Sequence, residues 1–171
     1  MNVELYWVEG AFPGRVGIAG RPGGGTWLPD YMAGYRSGGV DVLVTALATE
    51  ELRELSLERL SETANEAGIT HYHFPIPNMG VPPLDVALPF LTELATAVEQ
   101  GANIAAHCFG GIGRSPLIAA SVLALRGVDP EDAWKLIERA RGRQTPDTTV
   151  QRAWVAGMLA HRDAALAPPH G

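Results

Sequence analysis

The segment His-Cys-Phe-Gly-Gly-Ile-Gly-Arg-Ser at residues 107–115 holds the residue types and spacing best suited to chemistry in this chain. Five residues separate Cys108 from Arg114, and three of them are glycine. Glycines let the backbone curl until successive N–H groups point at one centre, a nest that holds a tetrahedral anion. Phe109, Gly110, Gly111, Ile112 and Gly113 would supply those groups. A helix starting near Arg114 adds the positive end of its dipole and its unpaired N–H groups to the same spot. The same fields favour a thiolate, the nucleophilic form of cysteine. Arg114 offers a planar fork that grips two phosphoryl oxygens at once, which lysine does not reproduce. Ser115 can donate a hydrogen bond to the sulfur and ease its departure as a thiolate. His107 ends the preceding strand, where an imidazole braces the loop, and we assign it positioning instead of proton transfer. A buried cysteine after an apolar strand, or a Gly-rich turn before a helix, is commonly structural when met alone. In this order and spacing they form a pattern more specific than any lone glycine motif.

These residues need a strand before them and a helix after them, and the sequence supplies both. Residues 103–106 are short and apolar, as a central strand should be. Pro116 suits a first helical turn, and residues 117–125 are strongly apolar. Elsewhere strand-like and helix-like patterns alternate, which predicts an α/β layer architecture. Strands are expected at 3–8, 15–19, 40–46 and 69–75. Helices are expected at 28–36, at 49–67 with Gly68 as the stop, and from Leu84 to Val98, where apolar positions recur at spacings of three and four. Two more are expected at 130–140 and 147–161. The Gly-rich turn 20–25 lacks the Lys-Ser/Thr ending of a nucleotide-binding loop. Trp27 and Tyr31 read as core packing ahead of a pocket rim, and Arg139, Arg141 and Arg143 as a solvated face ahead of an attractor for an acidic phosphopeptide.

Length and composition set the outer bounds. A chain of 171 residues fits one compact domain. Within it, residues 1–25 form N-terminal strands and the Gly-rich turn, and 162–171 a flexible tail. An apolar share of 46% against 19% charged is that of a folded globular chain. No apolar run approaches the roughly 18 residues that a membrane span needs. The first residues lack the basic stretch and apolar core of a secretory signal, which predicts a cytoplasmic location. Acidic residues outnumber basic ones 19 to 13, so a nucleic-acid backbone is not the expected partner. Cys108 is the single cysteine, which excludes an intrachain disulfide and a thiolate-rich metal cluster.

Residues 107–115 resemble the signature loop of the protein tyrosine and dual-specificity phosphatase superfamily. Residues 71–83, about thirty positions upstream, resemble the general-acid loop of its kinase-associated-phosphatase subgroup. The resemblance covers residues 40–154. It implies an α/β fold whose central sheet is mixed or mainly parallel and flanked by helices. It also implies phosphomonoester hydrolysis through a phosphocysteine, with no metal or organic cofactor. The expected substrate is a phosphorylated protein, phosphotyrosine above all, or a small phosphomonoester; the oligomeric state is left open.

One departure matters. In those relatives the acid loop presents an Asp, and the corresponding residue here is Asn78, whose amide is no useful proton donor. General acid catalysis is typically worth 10² to 10⁴ in rate, or about 3 to 5 kcal/mol. Asp85 is the nearest carboxylate on the same segment and is the expected acid, provided that the following helix starts late enough to leave it in the loop; the other route is catalysis without a dedicated acid on aryl phosphates, whose phenol leaves more easily than an alcohol. The other reading of Asp85 is a helix cap. Gln151 is assigned the water-orienting position that family members fill with Gln, and His71 and His73 are read as structural. The alternative function is a phosphate-binding pseudophosphatase, for which Asn78 speaks and the intact Cys108, Arg114 and Ser115 do not.

Overall fold

The computed structural model describes residues 1–169. Its centre is a five-stranded sheet of β1 (Leu5–Trp7), β2 (Val16–Ala19), β3 (Val42–Thr45), β4 (Thr70–His73) and β5 (Ile104–His107), in the order β1-β2-β5-β3-β4. Only β1 runs antiparallel, pairing Tyr6 with Ile18; β2, β5, β3 and β4 are parallel, with Val44 aligned to Ala106 and Thr45 to His107. The sheet is therefore mixed and mainly parallel, as the family resemblance implies, within the α/β layers that the patterning predicts. Parallel strands need crossovers, and the helices that make them cover both faces.

Side chains alternate along each strand, so neighbours enter different layers. Val42, Val44, Ile104 and Ala106 join one core with Leu91 and Leu94 of α4 (Leu84–Glu99), the body of α5 (Arg114–Leu125), Trp134 of α6 (Pro130–Arg141) and Met158 of α7 (Thr149–Leu166). Leu43 and Ala105 face the other core, with Met32 and Tyr35 of α1 (Leu28–Ser37) and Leu60 of α3 (Leu60–Glu66). Helix α5 lies so deep that residues from Arg114 to Ala124 are buried. That explains why its sequence is apolar without a marked face.

Three expectations change. The helix expected at 49–67 is two, α2 (Thr49–Glu54) and α3, separated at Ser56, whose φ of 56° is left-handed. The break lets Leu57 turn into the core, fully buried. It also receives the Gly-rich turn: Gly25 donates to the Ser56 carbonyl at 2.8 Å, and a Cβ on Gly24 would stand 1.9 Å from the Leu55 oxygen. Helix α7 runs to Leu166, so residues 162–166 continue it instead of beginning a tail, and residues 170–171 of that tail lie outside the described ones. Trp27, read as core, is exposed at the end of a short 3-10 turn. Among the described residues no helix is long and apolar enough to cross a membrane.

Candidate active site

Strand β5 ends at His107, residues 108–113 turn, and α5 starts at Arg114. The turn passes through the left-handed region at Gly111, with φ of 68°. It wraps round the sulfur: the Gly111 N–H points at Cys108 Sγ from 3.2 Å, and Ser115 Oγ lies 3.2 Å from the same atom. Cys108 is buried to 4% exposure, yet it lines a cavity of about 390 Å³ with Phe109, Gly113 and Arg114 of the loop. The residues expected as nucleophile, nest and clamp are therefore brought together.

Arg114 is held from outside the loop. Its Nη1 and Nη2 donate to the two carboxylate oxygens of Glu51 at 2.6 and 2.9 Å, and Nη1 also donates to the Ile76 carbonyl at 3.2 Å. Burial opposes the charge of Arg114, but the Glu51 carboxylate outweighs it and raises the guanidinium pKa; Cys108 and Asp147 push the same way. Glu51 is held below the usual carboxylate range by Arg114, against its own desolvation, with help from the Ala48 N–H that it caps at 2.8 Å. A guanidinium has five N–H donors. These contacts occupy both protons of Nη1 and one of Nη2, and leave Nε–H and the second Nη2–H, an adjacent pair, as a fork for two oxygens. Glu51 was not foreseen. It lies 63 residues from Arg114, and its only local signal is an acidic residue in a first helical turn.

His107 occupies the strand end as expected and is fully buried. Its Nε2 meets Thr45 Oγ1 at 2.7 Å, and the same hydroxyl meets His71 Nε2 at 2.8 Å. One hydroxyl proton serves only one imidazole, so Thr45 donates to one ring and accepts from the other. Burial, reinforced by His73, lowers the His71 pKa to about 4; burial, reinforced by His71, lowers that of His107 to about 3. Both rings are neutral at physiological pH, which agrees with positioning. His73 Nε2 donates to the Leu47 carbonyl at 2.7 Å.

Arg141 corrects the reading of a solvated face. Its Nε donates to the Gly111 carbonyl at 2.9 Å and its Nη2 to Gly110 at 3.4 Å, and its guanidinium stacks on Tyr6 at 4.2 Å. It engages the carbonyl of Gly111, whose own N–H points at Cys108 Sγ. Arg21 stacks on the Phe109 ring at 4.1 Å and lines one cavity with Arg141.

The acid loop reaches the cavity through Asn78 and Met79. Met79 takes a left-handed φ of 62°, and the Gly80 N–H donates to the Pro77 carbonyl at 2.8 Å, which closes a tight turn. Helix α7 fastens this loop: Gln151 Nε2 donates to the Gly80 carbonyl and Trp154 Nε1 to that of Pro82, each at 3.1 Å. Gln151 is fully buried, and its Oε1 accepts from the Thr148 N–H at 3.2 Å in a reciprocal cap. Its amide joins the loop to the helix and is not part of the cavity lining.

Asp85 does not remain in the loop. Helix α4 begins at Leu84, one residue earlier, because Pro89 sits far enough along to leave only the Asp85 carbonyl without its helical donor, and Asp85 is exposed to water. The Asp85 carboxylate receives the Val86 N–H at 3.1 Å and is absent from the cavity wall. The carboxylates on that wall are Glu51 and Asp147. Asp147 precedes α7 and presses on Gly113 so closely that a Cβ there would stand 2.3 Å from its Oδ2. Sequence reading took it only for the start of a helix.

A cysteine on a strand end, an arginine on the next helix and an anion nest between them, on a mainly parallel sheet, define the tyrosine and dual-specificity phosphatase class. Comparison with known proteins agrees. The chain belongs to the family described as polymorphic toxin system, DSP-PTPase phosphatase, whose model matches residues 17–128. It is 28% identical over 138 residues to cyclin-dependent kinase inhibitor 3 of Rattus norvegicus, a match that takes in 75% of this chain and 65% of the rat protein. The crystal structure of kinase associated phosphatase with its catalytic-site cysteine replaced by serine superposes with a TM-score of 0.83 over 98% of both chains, at 22% identity. TpbA of P. aeruginosa, in complex with phosphotyrosine, superposes with a TM-score of 0.61 over 95% of this chain and 98% of its own, at 17% identity.

Proposed function

We propose that the chain hydrolyses phosphomonoesters through a phosphothioester on Cys108, with phosphotyrosine in proteins as the foremost substrate and phosphoserine or phosphothreonine behind it. The observation that carries this reading is the convergence on one sulfur of the Gly111 N–H, the Ser115 hydroxyl and the Arg114 cavity. A phosphoryl group seated in the nest would be gripped by the free fork of Arg114. The sulfur attacks phosphorus as the ester oxygen leaves. Water then attacks the phosphothioester, and Ser115 stabilises the departing thiolate. Oriented donors at the site of developing charge are worth about 10² to 10³ in rate each.

An aryl ester fits this site for a second reason. Phe109 and Met79, both more than half exposed, give the cavity mouth an apolar rim on which a phenol ring can lie. The loop also lacks the lysines that would hold further phosphates of an inositol lipid. Location in the cytoplasm belongs to the same reading.

Turnover of p-nitrophenyl phosphate by the wild type, lost by at least about 10³ in Cys108→Ser, tests the proposal. Acid-quenched wild type should carry phosphate on the Cys108 peptide. A wild type inactive from about pH 4 to 8 that still binds vanadate would establish the pseudophosphatase instead.

A further inference from the structure

We infer that Asp147, from the segment leading into α7, is the proton donor that the acid loop lacks at Asn78. The inference rests on the phosphatase reading and adds to it the source of the proton. A donor must reach the oxygen that leaves phosphorus, so it must stand on the wall of the cavity over Cys108. The two wall carboxylates are not equivalent. Glu51 gives both oxygens to Arg114 and one to the Ala48 N–H, and those bonds hold it ionised. Asp147 is exposed to the cavity and, among the described residues, meets no hydrogen-bond or ion-pair partner. Its carboxylate rests against Gly113, the residue before the arginine, and its charge is felt at Arg114. Gly113 has a matching reason to be glycine, since a side chain there would occupy the place of Oδ2.

The remaining candidates fail on position or chemistry. Asp85 is engaged with its own helix and lies off the wall, and Asn78 is on the wall without a proton to give. Asp147 is also well held, because Thr148 and Gln151 cap α7 reciprocally beside it and Gln151 ties that end to Gly80. In the first step the Cys108 thiolate forms the S–P bond as the P–O bond breaks, and the Asp147 carboxyl passes its proton to the leaving oxygen. In the second, the Asp147 carboxylate takes a proton from water as that water forms a P–O bond, and the S–P bond breaks to return the thiolate. The ionisable groups that share the cavity with it are Glu51, Cys108 and Arg114.

Aryl phosphates of increasing phenol basicity, hydrolysed by the wild type, Asp147→Asn, Asp147→Glu, Asp85→Asn and Cys108→Ser, test this assignment. Asp147→Asn should lose about a hundredfold or more with phenyl phosphate and less than about tenfold with 2,4-dinitrophenyl phosphate, whose leaving group needs no proton. It should also lose one limb of the kcat against pH profile while vanadate inhibition stays as in the wild type. Asp147→Glu should recover part of the phenyl phosphate rate, and Asp85→Asn should match the wild type. If the amide crowds Gly113 and abolishes vanadate binding, Asp147→Ser, which is smaller, gives the same readout. An equal loss across all leaving groups, or an unchanged dependence on them, overturns the assignment while an inactive Cys108→Ser leaves the phosphatase reading standing. A wild type with no turnover overturns both.

Discussion

Two loops close on the cavity, and they are built differently. Residues 108–114 place the proposed nucleophile and clamp within one turn of backbone, with Arg141 bonded to the Gly111 carbonyl and Glu51 to Arg114. Residues 74–83 carry no acidic side chain of their own; they are held at the start by backbone bonds to Thr45 and Ala46 and by Arg114 on the Ile76 carbonyl, and at the end by two side chains of α7. In the proposed mechanism the first loop determines what is captured and attacked. The second helps to form the wall, and in the inferred mechanism the acid chemistry falls to a carboxylate from a third segment. If Asp147 is the acid, a catalytic group has left its usual loop without leaving the cavity, because another segment already packs on the loop's edge.

Three substitutions sharpen this contrast. Glu51→Gln should have the largest effect, lowering kcat/KM by about 10² through a less well-held Arg114, with vanadate affinity falling in parallel. An unchanged rate would show that the clamp needs no outside support. Arg141→Gln should cost roughly tenfold, since it frees the Gly110 and Gly111 carbonyls without touching the cavity; an increase in KM for phosphate esters is the signature to measure. The smallest effect concerns stability.

His71 and His107 are neutral in the fold, with pKa values of about 4 and about 3 against an unfolded value near 6.5. Below pH 6.5 the unfolded chain binds more protons at these sites than the folded one, so their contribution is complete above that pH and declines as pH falls toward 4. His71→Gln, which keeps a hydrogen-bonding group opposite Thr45, should flatten the fall of Tm between pH 6.5 and 4.5 while lowering Tm by a few degrees at pH 7. A variant as acid-sensitive as the wild type would refute this.

What could be read in advance follows from distance along the chain. Cys108, Arg114 and Ser115 share a strand, a turn and a helix that are contiguous, so their geometry is encoded locally. The sheet was readable because buried parallel strands such as residues 42–45 and 104–107 are short apolar runs. The break at Ser56 was not, for neither Gly nor Pro marks it, and its cause is a tertiary contact with the turn at Gly24 and Gly25. Glu51, Arg141 and Asp147 were missed for the same reason. Each is an ordinary charged residue near a helix terminus, and only the packing of distant segments distinguishes it from its neighbours. Asp85 misled because nearness in sequence to Asn78 suggested nearness in space, and an early start to α4 turned it away.

The fastening of the acid loop to α7 also bears on how the protein can be divided. The family match ends at residue 128, so a fragment cut there would keep the cysteine, the arginine and the strand that leads to them. It would lack Arg141, Asp147, Gln151 and Trp154, hence the brace behind the nest, the inferred acid and both ties on the loop. For expression or transplantation, the smallest useful unit therefore extends through α7.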